Sequence, residues 1–275
     1  MIKDKDFTGA RLGFIGVGNM GGALVRAARR RLEGAQLLLA NRTEAKAAAL
    51  AKELGASLSN NRTIAGNADY IFLGVKPQVM GELLAEIGPE LGARKDRFVL
   101  VTMAAGLTIA GIQSMAGGDY PVLRVMPNTP CSIGEGMILY TPGPGVTATE
   151  TDSFLEAMAG AGRFALVPEG LMDAGSAVAG CGPAFVDLFV EALADGGVAC
   201  GLPRAQAQAF AAQMVLGSAR LILESGKHPG ALKDAVCSPG GTTIQGVRKL
   251  EEAGFRGAVM EAVIAAFEKN GTLKC

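Results

Sequence analysis

Residues 11–32 read RLGFIGVGNMGGALVRAARRRL, and the glycines at 16, 18 and 21 constrain the fold more than any other feature of the chain. An apolar run over 11–16 predicts a buried strand, and Leu24, Ala27, Ala28 and Leu32 fall at helical spacing after it. Between them, GxGxxG does three jobs. The first glycine makes a tight turn, the second lets backbone approach a pyrophosphate, and the third allows close helix–strand packing. A strand–turn–helix with this spacing is the opening unit of a doubly wound α/β sheet that binds a dinucleotide.

The stretches QLLLANRT, DYIFLGV, RFVLVTM and PVLRVMP repeat the near-continuous apolar pattern of parallel strands covered on both faces. Ligands of such sheets bind outside the carboxyl ends of the strands. The loops expected to line that crevice are therefore Asn41-Arg42-Thr43, Lys76-Pro77, Ala104-Ala105-Gly106 and Met126 to Pro130. Small residues at 104–106 would let a flat nicotinamide lie against the backbone. After the second strand an Asp or Glu would serve the ribose 2′-hydroxyl of NAD, whereas Asn41 and Arg42 offer an amide and a guanidinium. Arg42 can pair with a 2′-phosphate, so NADP is preferred and NAD remains usable.

Strand signals stop near residue 167. GLMDAGSAVAGCGPAFVDLFVEALADGGVACGL reads as a helix, a Gly-Pro interruption and a second helix; further helices are expected over 204–225, from Thr242, and over about 255–270. Their many Ala and Gly residues permit close helix approach. The expected organisation is thus a dinucleotide-binding domain over 1–167 and an all-α domain over 168–275. Ahead of the helix at Thr242 stands SPGGTT, in which Thr242 and Gln245 have capping-box spacing. A turn of this kind before a helix is either a simple cap or a seat for a carboxylate or phosphate.

Composition narrows the function class. The 26 basic and 26 acidic side chains balance, which removes the long-range attraction that nucleic-acid binders need. The basic run Arg26, Arg29, Arg30 and Arg31 reads as a solvated helix end. Five scattered cysteines without a CxxC indicate reduced thiols and a cytoplasmic protein, and the single histidine, His228 in KHPG, reads as part of a polar turn and not a metal ligand. MIKDKDFTGA lacks the apolar core of a signal peptide. The uncharged run 98–118 is broken by glycines and hydroxyls, so it reads as strand, turn and short helix and not a membrane span.

IGVGNMG, GVKPQ, MAAGL, RVMPNTP, AGCGPAF, ADGGVACGLP and LKDAVCSPGGTTIQGV together resemble the pyrroline-5-carboxylate reductases along nearly the whole chain. The resemblance implies an N-terminal Rossmann-type domain, an all-α C-terminal dimerisation domain, and a homodimer that in many members assembles into a larger ring. It also implies NADPH-dependent reduction of the cyclic imine 1-pyrroline-5-carboxylate to L-proline. By motif, Gly16, Gly18, Asn19, Met20, Gly21, Asn41, Arg42, Asn61, Val75, Lys76, Pro77, Ala104, Ala105 and Gly106 would contact the cofactor. Glu169, Ser238, Gly241, Thr242 and Thr243 would form the substrate site, with Thr243 as the catalytic hydroxyl. The imine nitrogen could take its proton from Thr243, from a water that Thr243 orients, or carry it already. Ala235 stands where relatives often carry an amide, and Cys181 and Cys237 where serine or threonine is common. Two rival readings are another NADP-dependent imine or hydroxyacid reductase of similar plan, and a non-catalytic NADP-binding sensor. A 3-hydroxyacid enzyme would want a lysine in AGCGPAFVDLF, and a sensor would have no need of SPGGTT.

Overall fold

The computed structural model describes residues 9–272. Residues 1–8, most of the segment considered for a signal peptide, and Cys275 lie outside them. The chain divides into two compact units, Met1–Cys181 with Ala266–Cys275, and Gly182–Ala265.

In the first unit the described residues form one eight-stranded sheet in the order β3-β2-β1-β4-β5-β6-β7-β8. β1 (Leu12–Ile15) lies between β2 (Leu37–Ala40) and β4 (Tyr70–Leu73), parallel to both. The chain reverses its direction of winding there, so the carboxyl ends of β1 and β4 flank the switch point at which such sheets bind ligands. β5 (Val99–Thr102) and β6 (Val122–Met126) continue the parallel order.

Alternation along the strands builds two cores, one on each face. Leu12, Phe14, Leu39, Phe72, Val101 and Val125 point to α1 (Asn19–Arg29), α2 (Glu44–Leu54) and α6 (Ala148–Ala157). Ile15, Ile71, Leu73, Leu100 and Val122 point to α3 (Asn61–Asn67), α4 (Met80–Ala93) and α5 (Ile109–Ala116). The Phe14 and Phe72 rings stack on neighbouring strands with centroids 4.2 Å apart. Each such buried ring contributes roughly 1.5–3 kcal/mol of transfer free energy. The uncharged run 98–118 resolves into β5, the 104–106 turn and α5.

Three strands add to those expected. β3 (Ser57–Leu58) is two exposed residues, too short for a periodic signal. β7 (Gly136–Pro142) pairs antiparallel with β6, and β8 (Gly162–Leu166) is a half-exposed strand parallel to β7. The basic run is also more than a solvated helix end, because Arg30 donates to the carbonyls of Ser132 and Gly160 and Arg26 pairs with Glu53 at 2.9 Å. The two Arg30 bonds fasten the end of α1 to segments 102 and 130 residues away.

Residues 168–181, which follow the expected 167/168 boundary, pack with the first unit. Met172 packs in a cluster with Met126 and Leu139, and Asp173 pairs with Arg124 of β6. The interruption expected at Gly182-Pro183 is present: α7 (Met172–Gly175) ends in a π-helical turn, Ser176–Gly180, Cys181 is a turn residue, and α8 (Gly182–Ala199) starts at Gly182. Pro183 is accommodated because it falls in the first turn of α8, where its missing N–H would have had no helical acceptor.

The second unit is helical. α8 packs on α9 (Arg204–Ser225) through small residues, with Ala194, Ala207 and Ala211 buried. α10 (Pro229–Ala235), α11 (Thr242–Glu252) and most of α12 (Phe255–Gly271) complete it. The Phe189 and Phe255 rings meet at 5.8 Å. Large apolar side chains point outward instead, among them Leu188, Phe210, Leu216, Leu223 and Met260.

Candidate active site

The three glycines of the first turn have three different environments. Gly16 has φ +96°, a conformation that side chains rarely adopt, and a Cβ there would strike the carbonyl of Gly74. A Cβ on Gly21 would collide with the carbonyl oxygen of Gly16. A Cβ on Gly18 would meet nothing within 4 Å. Open space at the second glycine and close packing at the other two is the arrangement a pyrophosphate requires. Gly18 is also the N-cap of α1, and no side chain caps the helix. The N–H groups of Asn19, Met20 and Gly21 therefore face the space beside Gly18 with the positive end of the helix dipole behind them.

Neighbouring strands close around this turn. Gly16 N–H donates to the Ala40 carbonyl at 2.8 Å, and Gly74 N–H to that of Ile15 at 2.7 Å. Asn41 accepts from Val17 N–H at 3.1 Å and donates to the Thr43 carbonyl, so its amide buttresses the glycine turn. Arg42 is exposed and makes no hydrogen bond or ion pair among the described residues, which leaves its guanidinium available to an anion. Val75, Lys76 and Pro77 follow β4 after Gly74, with Lys76 exposed as the N-cap of a short 3-10 turn. Asn61 opens α3 and is bound to Glu86 of α4 at 2.9 Å. These features fit a phosphorylated dinucleotide.

The 104–106 loop is held at both ends. At its entry Ala104 N–H donates to the Thr102 hydroxyl at 3.4 Å, and Gly106 turns with φ +77°. At its exit Ile109 N–H, the first of α5, donates to Glu169 Oε1 at 2.7 Å. The same oxygen lies 3.4 Å from Arg124 Nη1, while Arg124 Nη2 reaches Asp173 at 3.0 Å. Arg124 is 2% exposed and was not singled out in the sequence, although a lone arginine inside the apolar run VLRVM is a visible signal. Asn128, in the loop after β6, accepts from Met137 N–H and donates to the Ala179 carbonyl in the π-helical turn. Burial pushes the Cys131 thiol up to about 11, so it stays protonated and unreactive. Cys131, Cys181, Cys200 and Cys237 are all free.

In the second unit, SPGGTT forms a turn closed by Gly241 N–H donating to the Ser238 carbonyl at 3.0 Å, with Gly240 at φ +69°. The expected capping box does not form. Gly241 is the N-cap of α11, Thr242 is its first residue, and no side chain caps it. Gln245 accepts instead from Arg248 at 3.2 Å. A Cβ at Gly241 would meet the Ser238 hydroxyl as it is placed here. The outcome is a helix start with free N–H groups and the exposed residues Ser238, Thr242 and Thr243 around it. His228 accepts from Gly230 N–H at 3.1 Å and caps α10.

Residues 169–273 match the pyrroline-5-carboxylate reductase dimerisation family, and residues 11–106 match the coenzyme F420-dependent NADP oxidoreductase family. The chain is 43% identical over 267 residues to pyrroline-5-carboxylate reductase of Escherichia coli K12, covering 96% of this chain and 98% of that one. It is 38% identical to the Pisum sativum enzyme of the same name, covering 95% of each chain. Its fold matches the NADP-bound crystal structure of Plasmodium falciparum pyrroline carboxylate reductase with a TM-score of 0.87, at 33% identity over 97% of this chain and 98% of that one. The chain belongs to the pyrroline-5-carboxylate reductase family.

Proposed function

We propose that this protein reduces 1-pyrroline-5-carboxylate to L-proline with NADPH. The observation that carries the reading is the SPGGTT turn, an uncapped helix start ringed by exposed hydroxyls in a family whose substrate bears a carboxylate. Ser238, Thr242, Thr243 and the N–H groups beside Gly241 hold that carboxylate. Gly16 to Gly21 hold the cofactor's pyrophosphate and Arg42 its 2′-phosphate, with Asn41, Asn61 and Val75 to Pro77 around them and Ala104 to Gly106 against the nicotinamide. NADPH, when bound, supplies the hydride. Thr243 both fixes the carboxylate and assists protonation of the imine nitrogen, directly or through a water that it orients.

The exposed apolar helices of the second unit pair with those of a second copy. The helical run Glu169–Ala199 is long and apolar enough to cross a membrane by length and composition. It falls within the dimerisation match, and a partner subunit in the cytoplasm would cover its apolar surface equally well. The testing experiment follows NADPH oxidation with 1-pyrroline-5-carboxylate and, in parallel, with open-chain 2-keto acids. Turnover confined to the cyclic imine supports the reading, and turnover confined to keto acids refutes it.

A further inference from the structure

We infer that Glu169, locked in place by buried Arg124, is a positioning residue that holds the 104–106 loop for the nicotinamide end of the cofactor. The inference rests on the reading above that this loop faces the nicotinamide. Arg124 sits on β6 on the same face as Val122, where an arginine is costly to bury, and its Nε has no partner among the described residues. Two carboxylates satisfy the rest of the guanidinium, and one of them continues outward. From Arg124 the contacts run to Glu169 Oε1 and then to Ile109 N–H, at the exit of the loop. Asp173 keeps the guanidinium from swinging away, and the Asp173 carbonyl is itself bound by Asn270 at 3.4 Å. Beneath the loop, Ala105 rests on the cluster of Met126, Leu139 and Met172.

The loop is thus clamped at its exit by a charge-assisted bond, at its entry by Thr102, and from below by packing. Such a clamp acts on one end of the cofactor only. The glycine turn and Arg42, which serve the other end, make no hydrogen bond or ion pair with Glu169 among the described residues. In this arrangement Glu169, expected from the resemblance in the substrate site, serves that site by holding the loop.

The test compares two ligands by calorimetry. One is NADPH; the other is adenosine 2′,5′-bisphosphate, which has the 2′-phosphate but no nicotinamide. Glu169→Ala should weaken NADPH by about tenfold, the size of one charge-assisted hydrogen bond, and leave the bisphosphate within about twofold of wild type. Glu169→Gln retains an acceptor for Ile109 N–H and should recover most of the NADPH affinity. Wild-type NADPH affinity in Glu169→Ala, or an equal loss for both ligands, overturns the inference. Ala105→Phe separates the two levels of the argument. If it weakens NADPH alone while Glu169→Ala does not, the loop reading stands and the clamp falls. If neither variant affects NADPH, the loop does not face the nicotinamide and both fall.

Discussion

Replacing Thr243 with alanine separates substrate binding from proton delivery, because the structure gives this side chain no other task. Thr243 is exposed in the first turn of α11 and makes no hydrogen bond among the described residues. Its removal should therefore change folding stability by no more than about 0.5 kcal/mol, and alanine's higher helix propensity offsets part of even that. Any kinetic loss then belongs to the reaction. If Thr243 only holds the carboxylate, the interaction is equal in ground and transition states, so KM rises and turnover is unchanged. A hydrogen bond to a charged group is worth about 1.5–3 kcal/mol, or roughly ten- to a hundredfold in KM. If Thr243 also donates or orients the proton, its contribution grows as hydride arrives and turnover falls as well. We expect both, with turnover lowered tenfold or more, since acid assistance contributes about 10²–10⁴. Thr243→Ser keeps the hydroxyl and should retain most activity. The assay is steady-state reduction of 1-pyrroline-5-carboxylate at saturating NADPH, with the melting temperature as the folding control. Full turnover in Thr243→Ala would refute the proton role, and an unchanged KM would refute the carboxylate seat as well.

Arg42→Ala should lower the NADPH-over-NADH preference by about ten- to a hundredfold, read as the ratio of kcat/KM values; an unchanged ratio means the 2′-phosphate is recognised elsewhere. Sedimentation at micromolar concentration should show at least a dimer, and an active, well-folded monomer would contradict the pairing of the apolar helices. The fourth prediction concerns Glu150, which is buried and paired with Arg97 at 2.5 Å. Burial pushes its carboxyl up, but bonds from Arg97 and from the N–H and hydroxyl of Thr147 outweigh this and hold it below the ordinary carboxylate range. A depressed folded-state pKa adds stability above the unfolded value that is lost as pH falls through the folded one. Arg97→Met strands the carboxylate, so it should cost about 3–5 kcal/mol near neutral pH, and the cost should shrink as pH falls through the carboxylate range and the stranded Glu150 of the variant takes up a proton. A destabilisation independent of pH over that range would show that Arg97 acts by packing and not by charge.

Local pattern alone determined the glycine turn, the parallel strands β1, β2, β4, β5 and β6, and the span of α9. These rest on spacing within a few residues, where sterics and periodicity suffice. The start of α11 at Thr242 was legible for the same reason, yet its cap was not. Thr242 and Gln245 have the right spacing, but the backbone turns into the helix one residue earlier, at Gly241, and Gln245 bonds Arg248 instead. Whether Arg42 is free could not be read from its neighbours, because pairing is decided by whatever the fold brings near. Arg124 is the sharper case: its partners lie 45 and 49 residues away, beyond an antiparallel strand the periodicity did not reveal. The same distance explains why residues 168–181, helical by pattern, group with the sheet-bearing unit: ion pairs and a methionine cluster hold them there. A buried charge must find a counter-charge in three dimensions, and the sheet, not the sequence spacing, chooses which carboxylate meets it.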